Sequence, residues 1–265
     1  MISSEPVLVG VDGTVAALRA TGWAAREAAR RRVPLRLVLA EPGEQWVRDA
    51  AGIARSAAPQ VRVEYAVHRG RARDVLAAAS SGASLLVLGS RKRSGLRRID
   101  VAMVAHARCP VVVVPASGDA VDHGPVVVGV SGSPVSADAV GFAFAAAAMR
   151  EVPLAAVWAW QELAPFHGWG GPWPHDTADA VARQQRRRLH RELTGWREKY
   201  PHVEVAEFAV HANRPAAALL GAAGQAQLMV VGSHGRGSVA GLLLRSTSQA
   251  LLAHARCPVA VVRVT

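Results

Sequence analysis

The sequence predicts an α/β protein of two tandem domains, each an open five-stranded parallel sheet flanked by helices. Two observations carry this. The words HARCPVVVV at 106–114 and HARCPVAVV at 254–262 differ at one position in nine, so the chain holds two copies of one unit. Within each copy, short apolar runs alternate with Ala- and Arg-rich stretches of helical length, the pattern of strands joined by crossover helices.

VLVGVD at 7–12 is an apolar run too short for a helix and bounded by glycine, which suits a strand buried on both faces. A helix follows over 15–32, LRLVLA at 35–40 reads as a second strand, and VRVEYAV at 61–67 alternates as a third. The stretch 71–81 reads as a helix, LLVLG at 85–89 as a fourth strand, 96–106 as a short helix and VVVVP at 111–115 as the last strand. SGDAVDHG at 117–124 is the linker, which sets the domains at 1–118 and 123–265. The second domain repeats the order with strands at 126–130, 154–160, 203–210, 228–232 and 259–264, and a charged helix from about 178 to 199. Left alone, each apolar last strand would expose an edge. The two are expected to pair with each other or with another chain, the domains meeting face to face as a pseudo-twofold dimer.

The copies are not in constant register. VGVDGT at 9–14 matches VGVSGS at 128–133, LLVLGS at 85–90 matches LMVVGS at 228–233, and the two Cys-Pro pairs start at 109 and 257. The second copy has therefore gained 24 residues before its fourth strand, and the first has lost five just after Gly89. The gain falls at about 161–182, opening on QELAPFHGWGGPWPHDT at 161–177, a surface loop able to act as a lid or as a packing extension.

Composition narrows the function classes. No window approaches about 18 uncharged apolar residues, and Met1 is followed by ISSEPVLVG, so a soluble, cytoplasmic protein without membrane partners is expected. Cys109 and Cys257 sit at the same point of each copy with no second cysteine beside them, which argues for packing rather than redox work. The net charge of +11 comes almost wholly from arginine, lysine occurring only at 92 and 199. With no aromatic platform, zinc pattern or helix-turn-helix signal beside it, the charge does not point to nucleic acid. His106, His254, His68 and His211 recur in pairs without ligand spacing, and His167 and His175 in the insertion lack flanking Cys or carboxylates, so no metal site is expected. No GlyXxxSerXxxGly elbow or HisGluXxxXxxHis occurs, so a dedicated hydrolase is not supported.

In an open parallel sheet, ligands settle beyond the carboxyl ends of the strands, where strand order reverses. After the fourth strand of the second copy stand Gly232, Ser233, His234 and Gly235, then, nine residues on, Arg245, Ser246 and Thr247. Glycines let backbone amides close on an anion, and hydroxyls at a helix start hold phosphate oxygens. With the flanking words VGVDG and GLLLRSTSQALLAHARCPV, this ordered set resembles the universal stress protein family over essentially the whole chain, twice.

The resemblance implies Rossmann-like domains of the adenine nucleotide α hydrolase type, a role in survival under stress, and in many members ATP with Mg²⁺. It implies phosphate contacts at Gly232, Ser233, His234, Gly235, Ser246 and Thr247, with Val157 near the base, and Ser131 and Gly132 in the place of the family's Asp-Gly pair. Two departures weaken that site. Ser131 removes a carboxylate from the ribose and metal side, and Arg245 stands for the third glycine, where it either blocks the phosphate or supplies a cation to it. The first copy keeps Asp12, Gly13, Thr14 and Gly89, but Lys92 replaces the second glycine, and Arg97 and Arg98 stand where Gly and Ser belong. That site is expected to be vestigial. The expectation is a non-enzymatic, stress-associated regulator with at most one nucleotide site; the alternative is a scaffold for unknown protein partners with both sites vestigial. A slow ATPase lacks an identifiable general base.

Overall fold

The computed structural model describes residues 4–41, 43–90, 103–116, 123–160, 175–233 and 247–263. The first half runs β1 (Val7–Gly10), α1 (Val15–Arg31), β2 (Leu35–Leu39), α2 (Glu44–Ala57), β3 (Val63–Val67), α3 (Ala72–Ala79), β4 (Leu85–Gly89), a helical turn at 103–106 and β5 (Val111–Val114). The second runs β6 (Val126–Gly129), α4 (Pro134–Arg150), β7 (Leu154–Trp160), α5 (His175–Lys199), β8 (Val205–His211), α6 (Pro215–Ala222), β9 (Leu228–Gly232), α7 (Thr247–His254) and β10 (Val259–Val262).

The ten strands of the described residues form one sheet in the order β3-β2-β1-β4-β5-β10-β9-β6-β7-β8. Every neighbour pair is parallel except β5 with β10, which is antiparallel. Val112 lies opposite Ala260, with Val111 against Val261 and Val113 against Val259. Val112 and Ala260 hold the same place in the repeated word, so a local two-fold axis passes between them. The halves thus meet edge to edge rather than face to face.

Burial on both faces explains why the central strands are unbroken apolar runs. Leu8, Leu35, Leu37, Leu85, Leu86 and Leu228 are fully buried, each such side chain contributing about 1.5–3 kcal/mol. One core lies between the sheet and α1, α2, α4 and α5, and it runs across the join without a break. The second core lies on the other face against α3, α6 and α7.

Several boundaries differ from the sequence expectation. The third strand starts at Val63, because Val61 closes the turn from Ala58 by donating to its carbonyl at 3.1 Å, and strands one, two and five end at Gly10, Leu39 and Val114. The helix read over 71–81 is α3 followed by a 3₁₀ turn, Ser80–Gly82. Helix α2 was not anticipated, and α5 begins at His175 rather than near 178. Of the helix expected over 96–106, residues 103–106 are helical and 96–102 lie outside the described residues.

Helices α1 and α4 end alike, on non-glycine residues in the left-handed region, Arg32 (φ 57°) and Glu151 (φ 54°). Between them lies a buried charge cluster. Glu27 Oε2 accepts from Arg150 at 2.5 Å, and Glu27 Oε1 accepts from Arg31 at 2.7 Å. The guanidinium of Arg31 sits 5.3 Å from the Phe142 ring centre and that of Arg150 6.0 Å from the Trp23 ring, a crossed pair of cation–π contacts at equivalent positions. Arg263 adds a further tie by donating to the Ala105 carbonyl of the other half. Among the described residues no helix is long and apolar enough to cross a membrane.

Candidate functional site

Strand order reverses between β1 and β4 in the first half and between β6 and β9 in the second, which places a crevice beyond the carboxyl end of each pair. Val128 pairs with Val230 and Val9 with Val87. Ser131 and Ser233 therefore each follow the last registered pair of adjacent strands by three residues, as do Asp12 and Ser90.

In the second half the chain leaves β6 through Ser131, turns at Gly132 (φ +65°) and enters α4 at its N-cap, Ser133. The positive φ is one that glycine adopts without penalty. The Ser131 N–H donates to Ser136 Oγ at 3.0 Å, and the Ser131 and Ser133 hydroxyl oxygens lie 3.0 Å apart. Across from them Ser233, buried, donates its N–H to the Val262 carbonyl at 2.8 Å. Ser248 Oγ donates to the Gly232 carbonyl at 3.3 Å, which brings the start of α7, with Thr247 as its first residue, to the end of β9. The fold so brings Ser131, Gly132, Gly232, Ser233 and Thr247 to the carboxyl ends of the adjacent strands β6 and β9. Hydroxyls, a positive-φ turn and helix starts favour an anion there by hydrogen bonding and by the helix dipole. Val157 is 2% exposed and packed in the core, and its carbonyl already accepts from the Val130 N–H at 2.9 Å. His234, Gly235, Arg245 and Ser246 lie outside the described residues, as do Lys92, Arg97, Arg98, His167 and 161–174 of the insertion.

The first half has the same turn with different furniture. Gly13 is at φ +73°, and Asp12 Oδ1 accepts from the Thr14 N–H at 3.2 Å and the Thr14 hydroxyl at 2.6 Å. The Thr14 Oγ1 in turn accepts from the Ala17 N–H at 3.3 Å, so Asp12 and Thr14 together cap α1. The indole of Trp46, in the first turn of α2, lies against Gly13, where any Cβ would collide with it. Gly89 abuts the backbone of α1: a Cβ there would run into the Ala16 carbonyl. Every retained motif residue of this half is engaged in holding the fold.

Trp46, Ser133 and Ser136 were not among the residues singled out from sequence. For Trp46 a signal existed: Pro42-Gly43 followed by Glu44 is a stop and an acidic first turn, the mark of a helix start. Cys109 and Cys257 are buried thiols away from both crevices, pushed up to about 12 and about 11, chiefly by burial.

The model of the universal stress protein family matches residues 40–115 and 123–263. Universal stress protein Rv2005c of Mycobacterium tuberculosis is 36% identical, the alignment covering 97% of this chain and 96% of that protein. A second protein of that organism, universal stress protein Rv1996, is 33% identical over 97% and 95% of the two chains. Among solved structures, a universal stress protein from Archaeoglobus fulgidus superposes with a TM-score of 0.69 at 17% identity, covering 98% of this chain and 99% of that one.

Proposed function

The chain belongs to the universal stress protein family, and from that premise we propose that it is a cytoplasmic stress-response regulator binding one molecule of ATP or a related nucleotide per chain, in the second half. The observation that carries this reading is the difference between the two crevices. In the first, Trp46 packs on the Gly13 turn, and Asp12 is tied to Thr14. In the second, the equivalent turn offers the hydroxyls of Ser131 and Ser133 beside Ser233 and the start of α7.

This donor set fits a phosphate, which accepts hydrogen bonds from hydroxyls and backbone amides. It fits a magnesium ion less well, because Ser131 presents a neutral hydroxyl where the first half has Asp12. Such an ion would be held by the phosphates and water, as Mg²⁺ commonly is. None of the described residues around the crevice is a general base, which favours binding over hydrolysis.

The scaffold reading is favoured by one observation: Val157, the residue set beside the base by the family resemblance, is packed in the core. Calorimetric titration with Mg-ATP separates the two. Binding at one equivalent per chain, lost in Gly235→Trp, supports the nucleotide reading; no heat at any concentration supports the scaffold, and two equal sites overturn both.

A further inference from the structure

We propose that a second site, the groove between α1 and α2 at the join of the halves, binds a small amphipathic anion: an acyl or aryl body carrying a carboxylate, sulfonate or phosphate. The groove has a volume of about 660 Å³, within the range of small-molecule sites. Its walls come from α1 and α2, from Val114 and Pro115 at the end of β5, and from Arg256 and Pro258 of the second half. It is complete only when the halves are joined.

Two properties select the ligand. The walls are largely apolar, and Val15 and Ile53, 75% and 40% exposed, stand in them as large apolar side chains left in water. Arg19, Arg26 and Arg256 also line the groove, and among the described residues no lining residue is acidic. Arg26 and Arg256 form no ion pair among the described residues. An apolar body covered by Val15 and Ile53, with its charge at the guanidinium groups, satisfies both.

The second half shows that the groove is specific to the first. Asp138 and Ala145 stand at the positions of Arg19 and Arg26, so two of the three arginines are lost there and an acid is added, with only Arg108, the counterpart of Arg256, kept. Gly141, the counterpart of Gly22, is covered by the ring of Trp196, whereas among the described residues only Ile53 and Arg26 come within 4 Å of a Cβ placed on Gly22. One copy fills the face of its helix with its own indole. The other leaves that face open and surrounds it with arginine.

Titration of the full chain with decanoate, naphthalene-2-sulfonate and decanol tests this. At least one anion should bind at one equivalent per chain, about tenfold tighter than decanol, and lose about tenfold in the double variant Arg26→Gln, Arg256→Gln. Which anion binds distinguishes an acyl from an aryl ligand. Ile53→Trp, which narrows the groove, should abolish binding, while Gly235→Trp should leave it unchanged, so that failure here is separable from failure of the nucleotide site. Circular dichroism melts matched to the parent show that each variant is folded. Equal affinity for decanol, an unchanged double variant, or no anion binding up to about 1 mM overturns the proposal.

Discussion

Arg31 and Arg150 hold the same position in the two copies of one helix, and both donate to the single carboxylate of Glu27. The counterpart of Glu27 is Ala146, whose carbonyl accepts from Arg150 at 3.1 Å. Burial pushes the Glu27 carboxyl up, but Arg150, Arg31 and Arg30 together outweigh it and hold the group below the ordinary carboxylate range. Arg150 is drawn below its usual value by burial and by the two other arginines, with Glu27 opposing, and its guanidinium remains charged at neutral pH. One acid serves two arginines at the join of the halves, where two identical copies would bring either two acids or none.

Glu27→Ala should cost about 3–5 kcal/mol, the scale for removing one partner of a buried pair, since the side chains of Glu27 and Arg150 are 1% and 2% exposed. The local two-fold axis predicts a rescue. Adding Ala146→Glu to Glu27→Ala should recover most of the loss in urea unfolding, because position 146 maps onto position 27; no recovery would count against the symmetry.

The pH dependence follows in sign. A carboxyl whose folded pKa is depressed contributes stability above its unfolded pKa of about 4.3 and loses it as pH falls through the lower folded value. Urea midpoints measured from pH 7 downward should be flat at first and then fall below about pH 4.5. In Glu27→Gln that fall should be shallower.

Gly89→Ala should destabilise by about 1–3 kcal/mol or more, because the new Cβ meets the backbone of Ala16, which cannot move aside without shifting α1. Gly82→Ala is the control. Among the described residues nothing lies within 4 Å of its Cβ position, and its φ is not positive, so thermal melts should show it neutral or slightly stabilising.

The thiols of Cys109 and Cys257, raised to about 12 and about 11, should remain protonated and unreactive at neutral pH. Ellman's reagent should titrate neither in the native protein and both in denaturant. Rapid native labelling of either would contradict their burial.

The architecture was readable where local chemistry decides it. Apolar runs such as LLVLG and VVVVP name their strands because both faces of the sheet are covered, and the repeat carried each assignment from one half to the other. Helix α2 was legible but not read: Trp46, Val47, Ala50, Ala51, Ala54 and Ala57 recur at helical spacing on the face that meets the core, though the three fully buried ones are small alanines. The candidate site was readable in its residue types but not in their engagement. That Thr14 takes the Asp12 carboxylate, or that Trp46 rests on Gly13, depends on how α1 and α2 are set against the sheet. The pairing of Glu27 with Arg150, 123 positions apart, depends on the β5–β10 join, which no periodicity reports.

The antiparallel contact of Val112 with Ala260 also has a consequence in mass-action terms. Two separate copies meeting through this edge would be in a second-order equilibrium, parted by dilution. Carried on one chain, the edges see each other at an effective concentration set by the connection between them, and their association becomes first-order. Stability at this contact is then independent of how much protein the cell holds, the same at nanomolar abundance as at micromolar.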